Sequence, residues 1–290
     1  MSNDTGLSFC GDDIKKNDYD RYLTCLFAKD DTVRENLFAL YAFNQEIAKT
    51  AEVVSEPLTG MIRLQWWRES IEGIFEGKPR KHLVVEALAR AVKDHGLKCE
   101  KLDEFINARE FDLENTVPQN LVSLERYVRK TSAELLSLAT DITIEKCEQD
   151  KEASKVLGQV CRSMGIAWGL LGIIRATPFY AAKKRIYLPQ DLINQHGLNT
   201  STLFELKSSP ELCEISKVLT EAVKKHLSMA RSFSGKIPKQ AKSPLLLGVL
   251  ADQYIKRLES NNYDPFDVSL HRPKSSATWK LMWANICSRY

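Results

Sequence analysis

Few residues in this 290-residue chain are spaced for chemistry. The five histidines, His82, His95, His196, His226 and His271, stand at no metal-ligand spacing to one another or to a cysteine, so surface or core positions are expected for them. The seven cysteines, Cys10, Cys25, Cys99, Cys147, Cys161, Cys213 and Cys287, form no C-x-x-C pair. Their odd number suits no closed disulfide set, and reduced thiols of a cytosol or matrix are expected. No nucleophile elbow, phosphate loop or dinucleotide fingerprint occurs. What remains is two segments and a pair of rings. Arg175 and Arg185 bracket one segment, residues 37–52 form the other, and Trp66 and Trp67 are adjacent. Guanidinium groups can grip a phosphate bidentately, and the same arginines equally suit structural ion pairs. The tryptophans can line a lipid cavity or fill a core. Neighbours on a helix point about 100° apart, so at most one of them is expected to face a cavity.

The elements that would position these groups read as helices almost throughout. Leu37, Leu40, Tyr41, Asn44, Ala48 and Ala51 follow the three-and-four spacing of one face over 33–52. Asp30 or Asp31 is placed to cap that helix, and Pro57 ends it. Further helices are expected over 58–76, 82–95, 99–113, 123–141, 152–175, 210–232, 244–260 and 276–286. Gly96 closes the third, and Ala176, Thr177 and Pro178 break the long one. Residues 186–189 read as a short extended piece. Gly and Pro are scarce, at 13 and 10, and no hairpin signal occurs. An all-α, single-domain architecture follows: a flexible segment over 1–18, then one helical domain over 19–290.

Composition limits the partners. The net charge of +3 has no basic stripe behind it, so no nucleic acid is expected. The polar, acidic N-terminus shows neither a secretory nor a transit peptide. No run of about 18 apolar residues is seen, so no spanning helix is expected, while peripheral membrane contact stays open.

Residues 185–192 (RIYLPQDL), 40–43 (LYAF), 63–69 (RLQWWRE), the Asp112–Leu113 pair, Tyr127 and the run Asn262, Tyr263, Asp264 occur in the order of a known pattern. The chain resembles the squalene/phytoene synthase family of head-to-head prenyltransferases over roughly 20–280. The resemblance implies an isoprenoid-synthase-type helical bundle around a central cavity. Active members hold two prenyl diphosphates through Mg²⁺, a hard cation that takes carboxylate and phosphate oxygens. The carboxylates come from two D-x-x-x-D-type motifs, whose four-residue spacing sets both acids on one helix face.

Laid on that pattern, the first motif falls on Ala48, Lys49, Thr50, Ala51 and Glu52, where Glu52 alone keeps an acid. The second starts at Arg175, and its acidic positions are Ala176, Phe179 and Tyr180. The resemblance is therefore to an acid-depleted branch, which includes a mitochondrial complex I (NADH dehydrogenase) assembly factor and its bacterial relatives. It implies a non-catalytic protein that aids complex I assembly, with complex I subunits or assembly proteins as partners and an isoprenoid or quinone-like lipid as a candidate ligand. No catalytic residue, metal or cofactor is then expected. Mg²⁺ enters only in the alternative of an active prenyltransferase. The remaining candidates for binding an anion or lipid are Arg175, Arg185, Lys49, Tyr41 and Tyr187. Lys49 can replace a metal as counter-charge to a diphosphate, or be a solvated lysine at a helix end. The expected location is a bacterial cytoplasm, with or without membrane association, or the mitochondrial matrix for a mature eukaryotic form.

Overall fold

The computed structural model describes residues 6–54, 56–114, 116–144, 151–271, 276–287 and 290. Among these, every regular element is helical. In chain order the α-helices are α1 (Phe9–Asn17), α2 (Tyr19–Cys25), α3 (Asp31–Ala48), α4 (Thr50–Val53), α5 (Pro57–Phe75), α6 (Leu83–His95), α7 (Cys99–Asn107), α8 (Leu121–Val128), α9 (Glu134–Thr143), α10 (Lys151–Ala182), α11 (Gln190–His196), α12 (Thr200–Phe204), α13 (Pro210–Arg231), α14 (Lys242–Leu245), α15 (Leu247–Ser260) and α16 (Ser276–Ile286).

The apolar spacing read over 33–52 builds α3. Asp30 starts it, its Oδ1 accepting the Val33 N–H at 2.8 Å, so the cap is Asp30 rather than Asp31. The helix is not continuous to residue 52. It ends at Ala48 and restarts as the short α4. The 123–141 helix is interrupted too: a π-helical turn, Arg129–Ala133, separates α8 from α9. Residues 99–113 hold α7 and then a single 3₁₀ turn, Glu110–Asp112. The expectation of a flexible segment over 1–18 fails for residues 9–17. They form α1, capped by the Ser8 hydroxyl, with Ile14 fully buried. Residues 1–5 and Cys147 lie outside the described residues; the other six cysteines are free.

Two apolar clusters make the core. One gathers α3, α5, α6, α7 and α9 around Phe38, Phe43, Trp67 and Phe105, with Phe43 edge-on to Trp67 at 5.4 Å between centroids. The other gathers α10, α13 and α15. Tyr22 packs against both clusters. The axis of the second cluster is α10, whose 32 residues are long and apolar enough to cross a bilayer by length and composition. That corrects the reading that no such helix exists. Because 72% of its apolar window is buried within the fold, its hydrophobicity is already satisfied by neighbouring helices. It approaches the π turn closely: a Cβ on Gly165 would stand 2.7 Å from Ala133 Cβ, and one on Gly169 2.6 Å from Val128 Cβ.

The expected break at Ala176, Thr177 and Pro178 does not occur, and α10 runs through Pro178 to Ala182. Proline removes a single intrahelical N–H. The Thr177 hydroxyl meanwhile bonds the Ile173 carbonyl at 2.9 Å, and the last turn is anchored by buried Ala181. The helix then ends on a left-handed residue, Lys184, with φ +54°. The N–H groups of Arg185 and Lys184 return to the carbonyls of Tyr180 and Ala181, each at 2.9 Å. This Schellman-type stop satisfies the terminal carbonyls and aims residues 185–189 back across the molecule. There the Gln190 N–H meets the Pro118 carbonyl at 2.8 Å.

Candidate functional site

The residues returned by that stop meet the 3₁₀ turn after α7 and the C-terminal end of α8 around one carboxylate, Asp112. It is 6% exposed. Its Oδ1 accepts the Tyr127 hydroxyl at 2.6 Å and the Tyr187 hydroxyl at 2.9 Å. Its Oδ2 accepts Arg109 Nη1 at 3.3 Å, and its backbone carbonyl accepts Arg185 Nη1 at 2.9 Å. Arg109 reaches on to the Tyr127 oxygen and to Asn44 Oδ1 on α3, both at 3.2 Å. The rings close over this network. Tyr180 and Tyr187 have centroids 4.4 Å apart, Tyr127 and Tyr187 5.8 Å, and Phe111 and Tyr127 5.1 Å.

Electrostatics follows from burial. Desolvation, then the negative charge of Asp112, pushes the Tyr127 and Tyr187 hydroxyls well above the usual phenol range. The same two causes push Tyr180 up to about 12. Burial opposes the charge on Arg109, yet Tyr127 and Asp112 outweigh it and hold the guanidinium above its ordinary value. The tyrosines are therefore neutral donors across the physiological range, and the carboxylate is neutralised by Arg109.

The other candidates are held elsewhere. Arg175 Nη1 pairs with Asp20 Oδ2 at 3.0 Å, and its guanidinium lies over the Tyr254 ring at 3.7 Å. The Tyr254 hydroxyl contacts both Asp20 oxygens, at 3.1 and 2.9 Å. Lys49 pairs with Glu46, which also takes Arg63 Nη2 at 2.6 Å. Glu52 takes Lys183 Nζ at 3.1 Å across a half-exposed pair. Tyr41 is buried under the Arg21 guanidinium, 5.5 Å from the ring centroid, and burial raises its hydroxyl well above the usual range. Ala48 ends α3, and Ala176 lies one residue beyond Arg175 on α10. Of the sequence candidates, then, Arg185, Tyr187 and Tyr180 converge, while Arg175, Lys49, Glu52 and Tyr41 do not join them.

Asp112 and Tyr127 were visible only as matches to a pattern. Arg109, three residues before Asp112, gave no signal of its own, and Asn44 read as one more member of a helix face. Asp20 and Tyr254 gave none either. A separate cleft of about 590 Å³ is lined by Glu46, Val53, Val54, Thr59, Ile62, Arg63, Trp66, Trp67 and His82. Trp67 is buried in the core while Trp66 is only partly buried, and each ring packs edge-on to His82 at 5.5 Å.

The squalene/phytoene synthase family model matches residues 14–280. The chain belongs to the squalene/phytoene synthase family. A dehydrosqualene synthase crystal structure superposes with a TM-score of 0.81, covering 96% of this chain and 94% of that one at 16% identity, which shows the shared fold. Among curated proteins, the Bos taurus protein named NADH dehydrogenase (ubiquinone) complex I, assembly factor 6 is 30% identical over 97% of this chain and 82% of its own length. Tomato phytoene synthase 2 is 23% identical over 87% of this chain and 81% of its own length.

The Mg²⁺ implied by the squalene/phytoene synthase fold does not fit the residues present. No group of three or more His, Cys, Asp or Glu side chains among the described residues is placed to hold a metal ion. Asp112 has both oxygens taken by Tyr127, Tyr187 and Arg109, and Glu52 is turned to Lys183. Where the family pattern sets acids on α10, Ala176 offers no donor and Tyr180 offers a neutral phenol in the ring stack.

Proposed function

We propose that this chain is a non-catalytic squalene/phytoene synthase homologue that aids the assembly of respiratory complex I. The observation that carries the first half is the loss of acids at the motif positions, where Ala48, Ala176, Phe179 and Tyr180 stand and the remaining Glu52 pairs with Lys183. Asp112 already accepts from two tyrosines and an arginine, and among the described residues no group of three or more His, Cys, Asp or Glu side chains could hold a metal ion. Ionising an allylic diphosphate needs Mg²⁺ or equivalent positive charge at the leaving group. Here the cations in and around the motif segments, Lys49, Arg175, Lys183, Arg185 and Arg109, are bonded to protein oxygens. The second half is supported by the mammalian relatives named as complex I assembly factor 6 at 29–30% identity over more than nine-tenths of this chain. Such a role places the protein in a bacterial cytoplasm or a mitochondrial matrix, with complex I subunits or assembly proteins as partners.

The test is deletion of the gene in a host that makes complex I. Native gels should show loss of assembled complex I, restored by the wild-type chain. Normal complex I levels in the deletion strain would refute the assembly role.

A further inference from the structure

The last helix carries its apolar side chains on the wrong side for a core element. In α16, Ala277, Leu281 and Ala284 are buried against the fold. Trp279, Met282, Trp283 and Ile286 are 70%, 40%, 68% and 69% exposed. At about 100° per residue these four fall within an arc of about 100°, opposite the buried three. The outward face is thus bulkier and more aromatic than the inward one. Its flanks are polar: Thr278 and Asn285 on one side, Lys280 on the other. In the turn that leads to the helix, Val268 is exposed, and exposed Phe179 packs edge-on to His271.

Two arguments decide what covers this face. Four side chains with two tryptophans offer on the order of 500 Å², short of the ~800 Å² per partner of a standard protein interface. Charge points the same way. From Val268 to Tyr290 the sequence holds Arg272, Lys274, Lys280 and Arg289 and neither Asp nor Glu. An apolar face with two tryptophans, flanked by Lys280 in a stretch of sequence without acids, matches a bilayer interface with anionic headgroups. An 11-residue helix is about 16 Å long and cannot span the ~30 Å hydrocarbon core, so it lies along the surface.

We propose that α16 docks the protein on an anionic lipid bilayer, with Trp279, Met282, Trp283 and Ile286 inserted at the headgroup–acyl boundary. This goes beyond the assembly role and does not depend on it. The experiment is co-sedimentation of the full chain with phosphatidylcholine vesicles, with and without phosphatidylglycerol. The expected result is binding that requires phosphatidylglycerol. It should fall by about tenfold or more in the Trp279→Ser/Trp283→Ser variant and by a smaller factor in Lys280→Glu, with thermal unfolding unchanged in both. Failure of the wild-type chain to bind would overturn the proposal, as would equal binding by the double variant. So would a dimer in sedimentation equilibrium that the double variant dissolves, since the face would then belong to a second copy.

Discussion

The Tyr127 hydroxyl lies 2.6 Å from Asp112 Oδ1, the same oxygen that Tyr187 reaches from the segment after α10. One carboxylate thereby ties α8 to the segment that follows α10. It serves the fold.

Removing Asp112 should therefore cost stability rather than activity. Asp112→Ala leaves the Arg109 guanidinium buried without its carboxylate, and loss of one partner of a buried pair costs about 3–5 kcal/mol. Tyr127→Phe removes the hydrogen bond to Asp112, about 1.5–3 kcal/mol, and the longer one from Arg109, but leaves the Arg109–Asp112 pair in place. Urea unfolding should rank the two in that order. A neutral Asp112→Ala would show that the network is not structural.

Alkaline pH should unfold the protein through the same groups. Tyr127, Tyr180 and Tyr187 titrate higher in the folded protein than the ordinary phenol. Their contribution is complete below the unfolded value of about 10. It falls as pH rises through the folded values, by about 1.4 kcal/mol per pH unit for each tyrosine. Phenolate absorbance should appear together with loss of helical circular dichroism above about pH 10. Smooth ionisation of these tyrosines with the helices intact would contradict the buried placement.

Lys184 holds a left-handed conformation, φ +54°, that glycine adopts without cost. Lys184→Gly should raise stability by about 0.5–1 kcal/mol, read as a higher midpoint in thermal unfolding. A loss would mean that the lysine side chain contributes more than its backbone strain.

The close approach of α10 to the π turn gives a paired test. Gly165→Ala forces a Cβ into Ala133 and should cost about 1–3 kcal/mol. Gly172, on the same helix, has open space at its Cβ position, so Gly172→Ala should gain up to about 1 kcal/mol. Equal effects would show that α10 does not press on that turn.

Local structure was largely legible in the sequence. Asp30 caps α3 as its type suggests, Gly96 ends α6 in the left-handed region, and α16 spans the expected residues. The N-terminal helices were missed because α1 is short and polar, with Ile14 as its main anchor. The site was legible only in part. Tyr187 and Asp112 are 75 positions apart, and Arg175 and Asp20 are 155 apart. No periodicity encodes such pairings, so an arginine with two readings stayed ambiguous until its partner was placed beside it.

The central claim is that the scaffold persists while Mg²⁺-dependent diphosphate chemistry does not. Its most direct test is incubation of the purified chain with farnesyl or geranylgeranyl diphosphate and Mg²⁺, measuring released pyrophosphate and hydrocarbon product. The account predicts no turnover above a protein-free control. Mg²⁺-dependent pyrophosphate release above that control would contradict it.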